Sequence, residues 1–298
     1  MKKEKVFSGV ATALITPFRR GRVDYAALSR LVELQIGAGI DALVIGGTTG
    51  EAATLSDAER YEVYSFVKER VGGRARLIFG TGTNDTRIAI RHTRSAEDIG
   101  CDGVLVVTPY YNKGTHDGVV RHYREISEAT SLPIILYNVP SRTGVNLTVK
   151  QLSCLAEREN IVGIKEASDS LDRLVELSKF GEDLWLYAGN DSQIYSTLSL
   201  GGAGVISVVS NLYPKSILNI TKSYFSGDTG ASLRAQQDIF NFTRAMFLET
   251  NPSPIKYAMS LSGLSMPEVR LPLFKPTKEV QRAIKREMQA LSERGLGV

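Results

Sequence analysis

Short apolar runs alternate with amphipathic stretches along the first two thirds of the chain. The runs fall at 9–15, 42–46, 75–80, 103–107, 133–137, 161–165, 184–188 and 204–208. Most are continuous in Val, Ile and Leu rather than alternating with polar residues. That is the pattern of parallel strands covered on both faces by helices. Between them lie helical patterns at 24–37, with Leu28, Leu31, Val32 and Leu34, and at 56–71, opened by a Ser56-x-x-Glu59 capping box. Others follow at 84–99, 148–157 and 169–179. Eight strands, each followed by a helix, predict an α/β fold of the (β/α)8 TIM-barrel type. A six-stranded doubly wound sheet is the competing reading, and it leaves two strand signals unused.

Past about Tyr213 the strand signals stop. Residues 216–225 supply the eighth barrel helix, and further helical patterns lie at 231–248, 254–262 and 278–293. They are separated by Gly227-Asp228, Asn251-Pro252 and the Pro-containing segment 266–276. The expected organisation is a catalytic barrel over 1–225 and a C-terminal helical region over 226–298 packed on it. No solenoid period or low-complexity segment interrupts this division.

Composition narrows the function classes. Of 298 residues, 43% are hydrophobic and 23% charged, which excludes a mostly disordered chain. The charge sum is 36 basic against 32 acidic residues, or +4, and the basic residues are scattered, so no nucleic-acid partner is expected. Cys101 and Cys154 are the only cysteines, too few for a disulfide framework or a four-thiolate metal site. His92, His116 and His122 lack metal-ligand spacing and read as residues of solvated faces; no metal is expected. The charged start at Met1–Lys5 has no apolar stretch behind it, and no apolar run approaches a membrane span. A cytoplasmic protein with no membrane partner is the expectation.

Candidate chemistry collects at predicted strand ends. Lys165 closes the run 161–165, where an ammonium is costly to desolvate. Strand alternation puts it on one face with Gly163, leaving room beneath the side chain. Burial depresses a lysine's pKa and yields the free amine that forms Schiff bases; a lysine snorkelling from the barrel mouth is the bland alternative. Tyr137 ends the fifth run on the face of Ile135, placed to relay protons to a carbinolamine. Arg142 follows in the loop, its planar fork suited to a carboxylate. Gly46-Gly47-Thr48-Thr49-Gly50-Glu51 follows the second run, where small residues let backbone N–H groups and threonine hydroxyls meet an anion. It is not a Walker loop, and Gly80-x-Gly82 is too short for a dinucleotide fingerprint. Tyr110-Tyr111-Asn112 and Gly189-Asn190-Asp191 are weaker signals, readable as packing and as a helix cap. Thr48, Tyr111, Tyr137, Arg142, Lys165 and Gly189 share the C-terminal ends of strands, where barrel active sites assemble.

On these residues the chain resembles the dihydrodipicolinate synthase family, the 4-hydroxy-tetrahydrodipicolinate synthases. Gly47-Thr48-Thr49-Gly50-Glu51, Tyr137-Asn138-Val139-Pro140-x-Arg142-Thr143-Gly144 and Gly163-Ile164-Lys165-Glu166 occur in order, and Asn251-Pro252-x-Pro254-x-Lys256 follows. The likeness runs from about Phe7 to the C-terminal helices. It implies that pyruvate condenses with Lys165 and that the enamine attacks aspartate 4-semialdehyde, with no cofactor beyond the covalent Schiff base. It further implies a proton relay of Thr48, Tyr137 and Tyr111, the last reaching into a neighbouring subunit's site. Backbone groups of Thr48 and Thr49 hold the pyruvate carboxylate, Arg142 holds the aldehyde's carboxylate, and Ile206 lies near Lys165. Gly189 is counted with these substrate-binding positions.

The resemblance also implies a homotetramer built as a dimer of dimers and a place in the diaminopimelate route to lysine. Sister lyases acting on N-acetylneuraminate or 2-keto-3-deoxy sugar acids are the nearest alternative; they generally lack an arginine at position 142. A keto-acid-binding barrel without turnover is the alternative from another class. Lysine-inhibited members hold their effector near the positions of Ala52, Ala53, Asp57, Arg60, Asn84, Ile88 and Tyr110. Ile88 replaces a glutamate that pairs with the effector's ammonium, so weak or absent lysine inhibition is expected.

Overall fold

All eight expected strands form in the computed structural model, which describes residues 2–297. Met1 and Val298, the outermost positions of the two expected regions, lie outside the described residues. The strands are Gly9–Ala13 (β1), Ala42–Ile45 (β2), Arg76–Gly80 (β3), Gly103–Val107 (β4), Ile134–Asn138 (β5), Ile161–Glu166 (β6), Trp185–Ala188 (β7) and Gly204–Ser207 (β8). Each pairs in parallel with its sequence neighbour, and β1 also pairs with β8, closing the barrel. Side-chain alternation splits these apolar runs into two cores. Ala11, Val44, Ile78, Leu105, Ile135, Tyr187 and Ile206 fill the barrel interior. Val10, Leu43, Phe79, Val104, Leu136, Ile164 and Leu186 face the helices. That double burial is why the runs read as continuously hydrophobic.

The surrounding helices are Tyr25–Ala38 (α1), Asp57–Val71 (α2), Thr86–Ile99 (α3), His116–Glu128 (α4), Val149–Ala156 (α5), Leu171–Ser178 (α6), Ile194–Ser199 (α7) and Pro214–Phe225 (α8). The capping box forms as read: Ser56 Oγ accepts from Glu59 N, and Glu59 Oε2 accepts from Ser56 N at 3.0 Å. Of these eight, α4 and α7 have no counterpart in the sequence reading. α4 buries Val119, Val120, Tyr123 and Ile126 behind a Thr115 cap, and α7 is too short to display a period. A two-residue hairpin, Phe18–Arg19 with Arg22–Val23, was also unexpected.

Thr229–Ala245 (α9), Ser253–Leu261 (α10) and Lys278–Glu293 (α11) form the helical C-terminal region, with α9 packed on α8 and α11. Two histidines contradict their assignment to solvated faces: His92 is 8% and His122 is 6% exposed. Both stand on the inner side of their helices, each with one ring nitrogen in a hydrogen bond, while the second nitrogen of His122, Nε2, is buried without a partner. His92 Nε2 lies 2.9 Å from Asp57 Oδ1, and His122 Nδ1 lies 2.9 Å from Thr86 Oγ1. Burial pushes His122 down to about 4. Among the described residues no helix is long and apolar enough to cross a membrane, and no group of three His, Cys, Asp or Glu side chains gathers as metal ligands.

Candidate active site

Lys165 and Tyr137 are direct partners in the β5–β6 register, both inward and near the C-terminal mouth. Lys165 is 5% exposed, and its Nζ lies 4.3 Å from the centroid of the Tyr137 ring. The space beside Gly163 is not empty as expected. Tyr187 fills it: a Cβ at 163 would come within 3.0 Å of the Tyr187 ring and 2.9 Å of the Trp185 carbonyl. Tyr187 is itself fixed by donating its hydroxyl to Phe7 O at 2.9 Å. The lysine therefore rests on a packed aromatic floor and cannot retreat into the barrel.

The residues after this pair face outward and tie the strands together. Asn138 Nδ2 donates to both Glu166 oxygens at 3.0 Å, and Asn138 Oδ1 accepts from Leu147 N at 3.0 Å. Glu166 also accepts from Ser168 N at 2.9 Å and pairs with Arg173 Nε at 3.4 Å. Two strands along from Lys165, Ile206 is buried on β8. Asp191 is no simple helix cap. It accepts from Ser207 Oγ and from Val208 N at 2.9 Å, holding the turn after β8. Desolvation pushes the Asp191 carboxyl up, opposed by those hydrogen bonds and by the positive charge of Lys165. Gly189 N donates to Glu166 O at 2.7 Å, keeping the end of β7 against that of β6.

The loop after β2 turns sharply. Gly46 has φ +66°, and a Cβ there would fall 2.2 Å from the Tyr64 hydroxyl, so only glycine fits. Gly50 N bonds to Gly47 O and Glu51 N to Thr48 O, while Thr16 Oγ1 bonds to Gly50 O at 2.7 Å. Glu51 is left-handed at φ 52°, an uncommon state for a non-glycine residue. It is held there by Lys256 Nζ on one carboxylate oxygen and by Arg270 N on the other at 2.9 Å. Lys256 is fully buried, and desolvation takes it down to about 8 against the pull of Glu51. Thr49 Oγ1 accepts from Asn251 Nδ2 at 2.9 Å, and Asn251 O accepts from Arg142 Nη2 at 3.1 Å.

A cavity of about 410 Å3 opens above these groups. Thr48, Tyr137, Arg142 and Asn251 line it, and a side lobe reaches Asp57, Arg60, His92 and Tyr110. Lys165 lies beneath the Tyr137 ring rather than on the cavity wall. Thr49, Gly189 and Ile206 are likewise not among its lining residues, and Tyr111 stands apart, 87% exposed at φ +70°. Asn251, Lys256 and Asp191 are the contributors that residue-level reasoning missed; for the first two, the motif at 251–256 was the available signal. The geometry sets the buried Lys165 beside the Tyr137 phenol, with Thr49 and Arg142 joined through Asn251.

A sequence model described as the dihydrodipicolinate synthetase family matches residues 6–291. The 4-hydroxy-tetrahydrodipicolinate synthase of Clostridium novyi is 45% identical over 269 residues, covering 90% of this chain and 91% of its own. That of Thermotoga neapolitana is 44% identical over 285 residues, covering 94% and 97%. The dihydrodipicolinate synthase structure from Thermotoga maritima superposes with a TM-score of 0.94 at 40% identity, over 98% of this chain and all of that one. The Aquifex aeolicus structure gives 0.94 at 38% identity, over 98% and 99%. With the closed eight-stranded barrel and near-complete coverage on both sides, the chain belongs to the dihydrodipicolinate synthetase family.

Proposed function

We propose that this protein condenses pyruvate with aspartate 4-semialdehyde to give 4-hydroxy-tetrahydrodipicolinate and water, on the diaminopimelate route to lysine. The observation that carries the reading is the register pairing of Lys165 with Tyr137 beneath a cavity that also presents Thr48 and Arg142. The Lys165 amine adds to C2 of pyruvate, and the carbinolamine loses water to give an iminium. Loss of a C3 proton gives the enamine, whose carbon attacks the aldehyde. The amino group of the second substrate then attacks C2, closes the ring and releases Lys165. Tyr137, with Thr48 and Tyr111, moves the protons; no further cofactor enters the scheme. Thr48 and Thr49 hold the keto-acid carboxylate, Arg142 the aldehyde's, and Ile206 and Gly189 bound the pyruvate end.

In this reading the barrel of 1–225 and the helices of 226–298 form one catalytic unit, working as a cytoplasmic homotetramer. The exposure of Tyr111 supports a role across a subunit contact. Arg142 supports a carboxylate-bearing acceptor over a sugar. A coupled assay with pyruvate and either aspartate semialdehyde or N-acetylmannosamine tests the choice, turnover with the former alone being the expected result. Lysine inhibits weakly or not at all in this reading. Asp57, the candidate substitute for the absent glutamate, is occupied by Arg91 at 2.8 Å and His92. Half-inhibition by submillimolar lysine at subsaturating pyruvate is the contrary outcome.

A further inference from the structure

The reaction scheme gives no task to the motif Asn251-Pro252-x-Pro254-x-Lys256, yet both its polar members are buried, Asn251 at 4% and Lys256 at 0% exposure. Both reach the same loop. Asn251 Nδ2 meets Thr49 Oγ1, 202 positions away in sequence, and Lys256 Nζ meets Glu51 two residues further along that loop. A threonine hydroxyl has one proton and two lone pairs. With one lone pair taken by the Asn251 amide, and no protein acceptor for its own proton, the Thr49 O–H is free to donate to a ligand oxygen. The main-chain carbonyl of Asn251 meanwhile holds Arg142. Its side-chain oxygen has no protein partner, although the residue lines the cavity.

We propose that Asn251 is a positioning residue for the pyruvate carboxylate: its amide N–H fixes the Thr49 hydroxyl as a donor, while Lys256 anchors the same loop through Glu51. This rests on the reading that Thr48 and Thr49 take that carboxylate. The two arms of Asn251 are separable. Asn251→Ala removes the bond to Thr49 but keeps the carbonyl that holds Arg142. Asn251→Asp offers only acceptors when ionised, so it draws the Thr49 proton toward itself and sets a negative charge beside the anion site.

The test is steady-state kinetics of the full-length enzyme with both substrates, joined to borohydride trapping of pyruvate and to thermal melting. Asn251→Ala raises KM for pyruvate about tenfold, the worth of one hydrogen bond. Asn251→Asp raises it further, by about thirtyfold or more, because a like charge now opposes the substrate. Turnover and KM for aspartate semialdehyde move less than about threefold in Asn251→Ala, since Arg142 keeps its brace. Thr49→Val and the double variant with Asn251→Ala show the same pyruvate KM. A structural role would instead lower turnover at unchanged pyruvate KM. That result, equal rises for both substrates, or an Asn251→Asp enzyme no worse than Asn251→Ala would overturn the proposal. If Asn251→Ala does not fold, Asn251→Ser carries the same comparison. Wild-type enzyme that traps no pyruvate sinks the functional reading and this inference together; trapping in wild type with an unmoved KM in Asn251→Ala sinks the inference alone.

Discussion

Lys165 and Tyr137 are fixed by adjacent strands, whereas Thr48 and Thr49 ride on a loop with several braces from beyond residue 250. Behind the strand pair, Asn138, Glu166 and Arg173 form a polar seam across two adjacent strands and the helix that follows β6. The loop depends on Asn251, Lys256 and Arg270, three long-range partners, two of them charged. The difference follows from what each part must do. In the proposed reaction Lys165 carries a covalent intermediate and needs a rigid, dry support, which barrel strands supply. In the proposed reading the turn meets a carboxylate with the N–H groups of Thr48 and Thr49, so only its later N–H groups, those of Gly50 and Glu51, bond within the loop. Remote side chains do the rest of the holding.

The largest expected effect is on the strand side. Lys165→Arg keeps the charge and the packing but stays protonated, so no Schiff base forms. Turnover should fall by about four orders of magnitude or more, as when a nucleophile is lost. Borohydride with pyruvate should leave no adduct on the variant and one at Lys165 in wild type, read by peptide mass. An adduct at another lysine would remove the strand pair from the comparison altogether.

Next comes the buried charge pair of the loop side. Lys256→Met leaves Glu51 buried without its cation, a situation that costs about 3–5 kcal/mol. Adding Glu51→Gln removes the stranded charge, and most of the loss should return. Chemical denaturation of the two variants checks this. A double variant no more stable than Lys256→Met would show that the residues matter separately and that the brace is not electrostatic.

Arg142 joins the two regions, since it follows β5 and rests on Asn251 O. Arg142→Ala should cost roughly 2–5 kcal/mol in recognition of the aldehyde's carboxylate. KM for aspartate semialdehyde should therefore rise far more than KM for pyruvate. Equal rises would make Arg142 part of the loop's support rather than a substrate contact.

The same contrast explains what could be read from the chain. All eight strands, the capping box and the strand-end positions of Lys165 and Tyr137 were legible, because each depends on a period or a neighbour within a few residues. The pairing of Lys256 with Glu51 was not, because nothing local distinguishes a lysine destined for burial in α10. His92 and His122 were misread for a related reason: a neutral buried imidazole and a solvated one look alike in a helical pattern. Asp191 looked like a cap because its partners Ser207 and Val208 lie on the next strand and turn. Short α7 escaped notice since six residues hold fewer than two turns.

The smallest expected effect lies at the rim of the loop's brace, where Arg270 joins Glu59 to the backbone around Glu51. Arg270 Nη1 donates to Glu59 Oε2 at 2.9 Å, and its main-chain N donates to Glu51. The Arg270 guanidinium, with help from the Ser56 N–H, takes the Glu59 carboxyl from 4.5 down to about 2. Because the folded-state value is depressed, the unfolded chain binds the proton first as the solution is acidified. The stabilisation is therefore complete above about pH 4.5 and disappears as pH falls toward 2. Glu59 is partly solvent-facing, so the pair contributes only about 0.2–1 kcal/mol after screening. Glu59→Gln should lower Tm by about 1–3 °C at pH 7, and the gap between variant and wild type should shrink steadily from pH 4.5 to pH 2.5. High salt at neutral pH should narrow it as well. A gap that is the same at pH 2.5 as at pH 7 would mean that Glu59 acts through its place in the α2 cap, and that charge contributes nothing at this edge of the brace.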